Sequence, residues 1–124
     1  MITTTILVAL AGAVGAVARF VLDGVIRHRT QGAFPIGTMI INWSGSLLLG
    51  FLAGLVTAGV PSAVQVVLGT GFLGGYTTFS TASVETVRLI QEHRWPAAVG
   101  NALGTIVLAT ILALLGFLAG TALG

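Results

Sequence analysis

A short run of small, hydroxyl and aromatic residues, GFLGGYTTFSTAS at 71–83, lies within a chain that is otherwise almost entirely apolar. Its adjacent glycines make the backbone permissive, and its threonine hydroxyls compete for backbone hydrogen bonds. Inside an apolar helix, this combination predicts a break at 74–78, whose freed carbonyl oxygens need a partner. Unwound carbonyls bind cations in membrane proteins, and half-helix N-termini face anions. The run therefore predicts an ion site, and the alternative is a glycine kink relieved by neighbouring hydroxyls.

Polar side chains on the other apolar segments strengthen the ion-site interpretation. Asn42 lies early in the second segment, where its amide either serves a site or joins two helices, because leaving it unsatisfied is costly. Asn101 and Thr105 are one helical turn apart on the last segment and form one polar face. Arg19 is expected to snorkel toward the first loop or to hold a helix C-terminus.

The chemistry of this lining favours an anion over a cation. The carboxylates Asp23, Glu85 and Glu92 fall near segment ends, so a proton relay is not expected. Neither His28 nor His93 is placed to activate a nucleophile or complete a metal site, and we predict no enzyme. Amide and hydroxyl groups donate hydrogen bonds, and a Phe ring has an electropositive edge.

The composition places these residues in a lipid bilayer. The chain has 124 residues, is 56% hydrophobic and 6% charged, and has a mean hydropathy of +1.07. Apolar stretches at 3–26, 36–58, 62–92 and 96–122 lack the alternation of membrane β-strands. The third would span about 46 Å as a straight helix, longer than a hydrocarbon core of about 30 Å. We predict an all-α membrane protein, a single domain of four transmembrane helices with the third broken, and no nucleic-acid partner.

Small residues recur every four positions, which predicts close helix packing, chiefly within one subunit. They are Asn42, Ser46, Gly50 and Gly54 on the second stretch, with Gly100 and Gly104, and Gly116 and Gly120, on the fourth.

Arginines are concentrated around the first and third loops, at positions 27, 29, 88 and 94. The second loop and both termini have no Lys or Arg. The positive-inside rule then predicts that loops one and three face the cytoplasm and that both termini lie outside.

Three segments together resemble the Fluc family of bacterial fluoride channels, also called CrcB-like proteins. They are GAVARF at 15–20, GTMIINWSGSLLLG at 37–50 and GFLGGYTTFSTASVE at 71–85. The resemblance implies an antiparallel dimer in the bacterial plasma membrane, with two pores that export fluoride passively and protect the cell from its toxicity. It also implies a central structural sodium ion, held by the backbone carbonyls of Gly74 and Thr77 from each subunit.

The same resemblance assigns roles to individual side chains. Asn42 is similar to the family's pore asparagine, and Phe79 to its first pore phenylalanine. Thr105 matches a hydroxyl on the polar track of the fourth helix, and Arg19 matches the vestibule arginine. Ser80, Thr81 and Ser83 are further candidate donors beside the pore.

One residue departs from the family pattern, which usually has a second phenylalanine where this chain has Ala82. A homodimer would then have pores that lack half of the aromatic lining, unless a related chain supplies it. The arginine bias also favours a related chain as the second subunit, because a chain that inserts in one orientation needs an oppositely oriented partner. We therefore slightly favour a paralogue over a second copy as the antiparallel subunit.

Two alternative functions remain open from sequence. The chain could be a non-conducting or assembly subunit of a heterodimeric channel. It could also be a small multidrug-type exporter of organic cations, although such exporters need a Glu in the first span, where this chain has Ala and Gly.

Overall fold

The computed structural model describes residues 1–30 and 34–123, and the secondary structure in these ranges is entirely helical. Helices α1 (Ile2–Thr30), α2 (Ile36–Thr57) and α5 (Trp95–Leu123) are each long and apolar enough to cross a membrane. Helices α3, covering 62–76, and α4 (Phe79–Gln91) divide the predicted third span. The helical membrane class is thus supported, whereas the fourth crossing and the antiparallel dimer stay predictions.

The first helix extends beyond its predicted end at residue 26. It continues to Thr30 through Arg27, His28 and Arg29. Cations near a helix C-terminus interact favourably with the helix dipole. The Arg27 guanidinium also donates to the Asp23 carboxylate at 2.9 Å, one turn back. Residues 31–33 of the first loop lie outside the described ranges.

The break in the third span lies within the predicted range 74–78, at its last two residues and after both glycines. Gly74 has helical angles, with φ −62° and ψ −38°, and α3 continues to Tyr76. Thr77 and Thr78 are the extended residues, with ψ of 153° and 112°. Gly75 serves packing instead, because an added Cβ would collide with the carbonyl oxygen of Gly12 on α1.

Two wide π-helical segments, which the sequence did not predict, flank α2. One is Gln65–Leu73 within α3 and the other is Gly104–Leu108 within α5. Such segments are rare and are often found at functional sites. The Trp43 indole of α2 donates to the carbonyl of Gly104 at 2.9 Å, which satisfies an acceptor where the second segment begins.

Glycines bring α2 and α5 into backbone contact. A Cβ at Gly50 or Gly54 would collide with carbonyl oxygens of α5, and one at Gly116 or Gly120 with carbonyl oxygens of α2. These four glycines therefore pack within one subunit, as the spacing predicted, whereas Gly100 is exposed.

Candidate functional site

The Asn42 side chain replaces the hydrogen bonds that the backbone loses at the break. Its Nδ2 donates to the carbonyl of Thr78 at 2.9 Å, and the Thr78 N–H donates to its Oδ1 at 2.9 Å. The residue is only 6% exposed. This two-point contact joins α2 to the extended residues and satisfies backbone groups that could not face lipid.

Thr78 begins the second half of the broken helix. Its hydroxyl oxygen accepts from the Thr81 N–H at 3.1 Å, which is a typical N-cap interaction, and its hydroxyl donates to Thr81 Oγ1 at 2.9 Å. The run of hydroxyl residues after the glycines thus restarts the helix at Phe79.

These side-chain contacts leave two carbonyls without their helical donors. In an uninterrupted α-helix, the Thr78 N–H would donate to Gly74 and the Thr81 N–H to Thr77. Both N–H groups instead donate to side-chain oxygens, of Asn42 and Thr78 respectively. Gly74 and Thr77 are the two residues whose carbonyls the resemblance assigns to sodium. Carbonyl oxygens freed in this way suit a hard cation, so the residues present fit such an ion.

Arg19 contacts the next carbonyl at the break. Its Nε donates to the Gly75 oxygen at 3.2 Å, and the side chain is half-buried. Of the two roles expected from sequence, this geometry is that of holding a helix C-terminus, since Gly75 lies in the last turn of α3. The vestibule role stays a prediction.

A groove of about 390 Å³ brings five of the predicted site residues together. We call it the break groove, and it is lined by Asn42, Gly74, Thr77, Phe79 and Thr105. Ser46 and Thr70 line it as well. Neither was predicted as a site residue, although Ser46 follows Asn42 by one turn and Thr70 precedes Gly74 by one turn, a periodicity that could have found them.

A second groove of about 270 Å³ continues from Phe79 and Thr105 along α4. We call it the Ala82 groove, and its other lining residues include Ala82, Ser83 and Thr86. Phe79 is 68% exposed in the single chain, beside both grooves. Because Ala82 is small, the described residues that line this groove include no aromatic ring besides that of Phe79.

Asn101 lies beside the Ala82 groove and has a structural role there. Its side chain is fully buried, and Nδ2 donates to Thr86 Oγ1 at 2.7 Å and to the Ala82 carbonyl at 3.3 Å. It therefore ties α5 to α4. Its Oδ1 and the Thr105 hydroxyl are buried without a hydrogen-bond partner in the described residues.

Two of the predicted hydroxyl donors, Ser80 and Ser83, are less well placed to bind an ion in the grooves. Ser80 is exposed and lines neither groove. Ser83 lines the Ala82 groove, but its hydroxyl already donates to the Phe79 carbonyl at 3.0 Å.

The three acidic residues of the chain share a third cavity, of about 250 Å³, at the end of the first and third loops. Asp23, Glu85 and Glu92 line it together with Arg27 and Arg88. At this end, the buried Thr38 hydroxyl donates to the Glu85 carboxylate at 2.6 Å. Sequence reasoning located the acids near the span ends but missed this pair, because no local spacing relates α2 to α4.

Comparisons with known proteins show the family of this chain. The family model described as CrcB-like protein, Camphor Resistance (CrcB), matches residues 6–117. A relative named fluoride-specific ion channel FluC 1, from Leifsonia xyli subsp. xyli (strain CTCB07), is 52% identical over 103 residues, which cover 82% of this chain and 75% of the relative.

Two further relatives match over similar lengths. The fluoride-specific ion channel FluC 2 of Moorella thermoacetica (strain ATCC 39073 / JCM 9320) is 44% identical over 87% of this chain and 88% of its own. The fluoride-specific ion channel FluC of Magnetococcus marinus (strain ATCC BAA-1437 / JCM 17883 / MC-1) is 43% identical over 91% of this chain and 94% of its own. The match spans nearly all of the chain, and the chain therefore belongs to the CrcB-like, or Fluc, family.

Proposed function

We propose that the protein is a fluoride-selective channel of the bacterial plasma membrane, through which fluoride leaves the cell passively. One observation carries the proposal: a single groove joins the Asn42 amide, the broken-helix carbonyls, the Phe79 ring and the unpaired Thr105 hydroxyl. Amide and hydroxyl donors can replace the water of a small anion at close range. Relatives that carry the name of fluoride-specific channels support the choice of ion.

A structural sodium ion is the second part of the proposal. The carbonyls of Gly74 and Thr77 would hold it, since their usual helical donors are used elsewhere. When bound, the ion would supply positive charge that keeps the break in its extended form. Asn42 orients the break from one side, and Arg19 holds the carbonyl between the two ligands.

A second subunit completes the proposed channel. Both grooves are open at the surface of the single chain, and Phe79 is exposed between them. An antiparallel partner would cover these openings and give two pores. It would also cover the polar surface of α4, where Ser80, Ser83 and Gln91 are exposed.

Ala82 supports a second candidate, in which this chain works with a paralogue. Among the described residues, Phe79 alone contributes an aromatic ring to the Ala82 groove, so a partner with a phenylalanine at the matching position would complete the lining. In that arrangement this chain could be the non-conducting or assembly subunit. Tags on each terminus test the underlying orientation argument, because equal accessibility from both sides of the membrane would remove it.

Fluoride efflux from liposomes that contain only this purified chain is the deciding experiment. Rapid efflux of fluoride but not chloride, with protein stability that depends on sodium, is the expected result. Folded protein without efflux, followed by efflux when a paralogue is added, would support the second candidate. Absence of fluoride efflux in both cases would contradict the channel function, and proton release driven by organic cations would indicate an exporter.

A further inference from the structure

The hydroxyl groups of this protein differ in whether they already donate a hydrogen bond within the chain. In helices, Ser and Thr commonly donate to a carbonyl one turn back, and such a hydroxyl has no proton left for a ligand. Ser83 donates to Phe79, Thr86 to Ala82, and Thr110 to Ile106. Thr77, beside the break, donates to Leu73 in the same way.

Three hydroxyls in the break groove are different. Ser46, Thr70 and Thr105 line it, and among the described residues none of them donates or accepts a hydrogen bond. Thr105 is only 4% exposed, so its unpaired hydroxyl is buried at a cost that a ligand or water would relieve. Ser46 is half-buried, and Thr70 is exposed to the groove.

These three residues come from three different helices. Ser46 lies one turn beyond Asn42 on α2, which runs toward the second loop. Thr70 lies one turn before Gly74 on α3, which comes from that loop. Both are therefore on the second-loop side of the break, and Thr105 on α5 lines the same groove. By contrast, the Ala82 groove has Thr105 as the single hydroxyl not already engaged within the described chain.

We propose that Ser46 and Thr70, with Thr105, form a hydroxyl-lined binding site for a small anion in the break groove, on the second-loop side of the break. This inference rests on the proposed function and names fluoride as the ligand. The described residues that line the groove include no carboxylate and no Lys or Arg, so binding depends on uncharged hydrogen-bond donors. Short contacts to several hydroxyls would favour a small, strongly hydrated anion over chloride.

The test compares free with engaged hydroxyls. Ser46→Ala and Thr70→Val remove free donors, while Thr110→Val and Thr121→Val remove hydroxyls that already donate to carbonyls and line neither groove. For each full-length variant, thermal unfolding is followed as fluoride replaces chloride at constant sodium and ionic strength, and liposome efflux is measured separately. For Ser46→Ala and for Thr70→Val, the fluoride concentration needed for half-maximal stabilisation should rise about tenfold, since one hydrogen bond to an anion is lost. Each variant should also slow efflux. The two controls should resemble the unmodified protein.

Conservative variants distinguish a lost ligand contact from a folding defect. Ser46→Thr and Thr70→Ser keep the hydroxyl and should keep fluoride-specific stabilisation. Unchanged fluoride response in both Ser46→Ala and Thr70→Val, while the unmodified protein conducts fluoride, would overturn the inference and leave the channel function standing. If the unmodified protein neither conducts fluoride nor is stabilised by it, the proposed function fails and this inference fails with it.

Discussion

The two halves of helix α2 contact their neighbours in opposite ways. The second half packs Gly50 and Gly54 against α5 so closely that no side chain fits between the backbones. The first half instead contacts its neighbours through hydrogen bonds, from the Asn42 amide to Thr78 at the break and from the Trp43 indole to Gly104 on α5. The glycine contacts depend on shape, whereas the break contacts depend on hydrogen bonds.

This difference shows how an apolar bundle can support an unwound segment. Close backbone contact fixes α2 relative to α5, since packed interiors tolerate little change in volume. Asn42 is then held in position to satisfy the break. The groove beside the break therefore has its polar groups placed by a rigid element rather than by a loop.

Gly116→Ala tests the glycine-packed half and should have the largest effect. The added methyl would collide with the Leu47 carbonyl, and overpacking of this kind costs about 3 kcal/mol. We expect a large drop in the yield of folded protein and in its unfolding temperature in detergent. Gly24→Ala is the matched control, because no atom of the described residues lies within 4 Å of its added Cβ. Equal stability of the two variants would contradict a shape-dependent contact.

Asn42→Ala tests the hydrogen-bonded half. It would leave the Thr78 N–H and carbonyl without partners, at a cost of about 2 kcal/mol, and should abolish sodium-dependent stabilisation. Thermal unfolding at several sodium concentrations measures both effects. Thr110 lines neither groove, so Thr110→Val should have the same unfolding temperature and sodium dependence as the unmodified protein. Retained sodium dependence in Asn42→Ala would show that the break does not need the amide.

Thr78→Ala should have a smaller effect on the same region. Loss of the N-cap leaves the Thr81 N–H unpaired, and such a loss typically costs about 1 kcal/mol. Thr78→Ser should restore most of the stability because it keeps the capping oxygen. If the serine variant were as unstable as the alanine variant, the contribution would come from the methyl group rather than from the cap.

Arg19→Gln should change stability least, by about 1 kcal/mol or less. The lost hydrogen bond to Gly75 is offset by removal of a charge from the membrane-spanning segment. Its clearer effect should be on sodium, because a fixed positive charge next to the Gly74 carbonyl opposes a second cation. For Arg19→Gln we expect half-maximal stabilisation at a lower sodium concentration. Arg19→Lys keeps the charge and is the comparison. A higher sodium requirement in Arg19→Gln would contradict this electrostatic argument.

Sequence reasoning reached the helical membrane class and the close packing of small residues because both follow from composition and one-turn spacing. It also selected Asn42, Thr105 and Phe79, which line one groove in the structure. It predicted the break at 74–78 but did not single out Thr77 and Thr78 as the extended pair, because glycine is locally more permissive than threonine. Contact between Gly75 and Gly12 outweighs that preference. Ser46 and Thr70 were missed because their one-turn spacing from Asn42 and Gly74 places them near the site but does not show that their hydroxyls are free.

The hydrogen bond from Arg19 to Gly75 joins residues 56 positions apart in the chain, and this separation has a consequence for biogenesis. When α1 enters the membrane during synthesis, the carbonyl that Arg19 contacts has not yet been made. An arginine near the centre of a membrane helix costs about 3 kcal/mol during insertion. The first helix is therefore held less firmly until α3 arrives, and a nascent chain that ends before Gly75 should release α1 from the bilayer more readily than the full chain does.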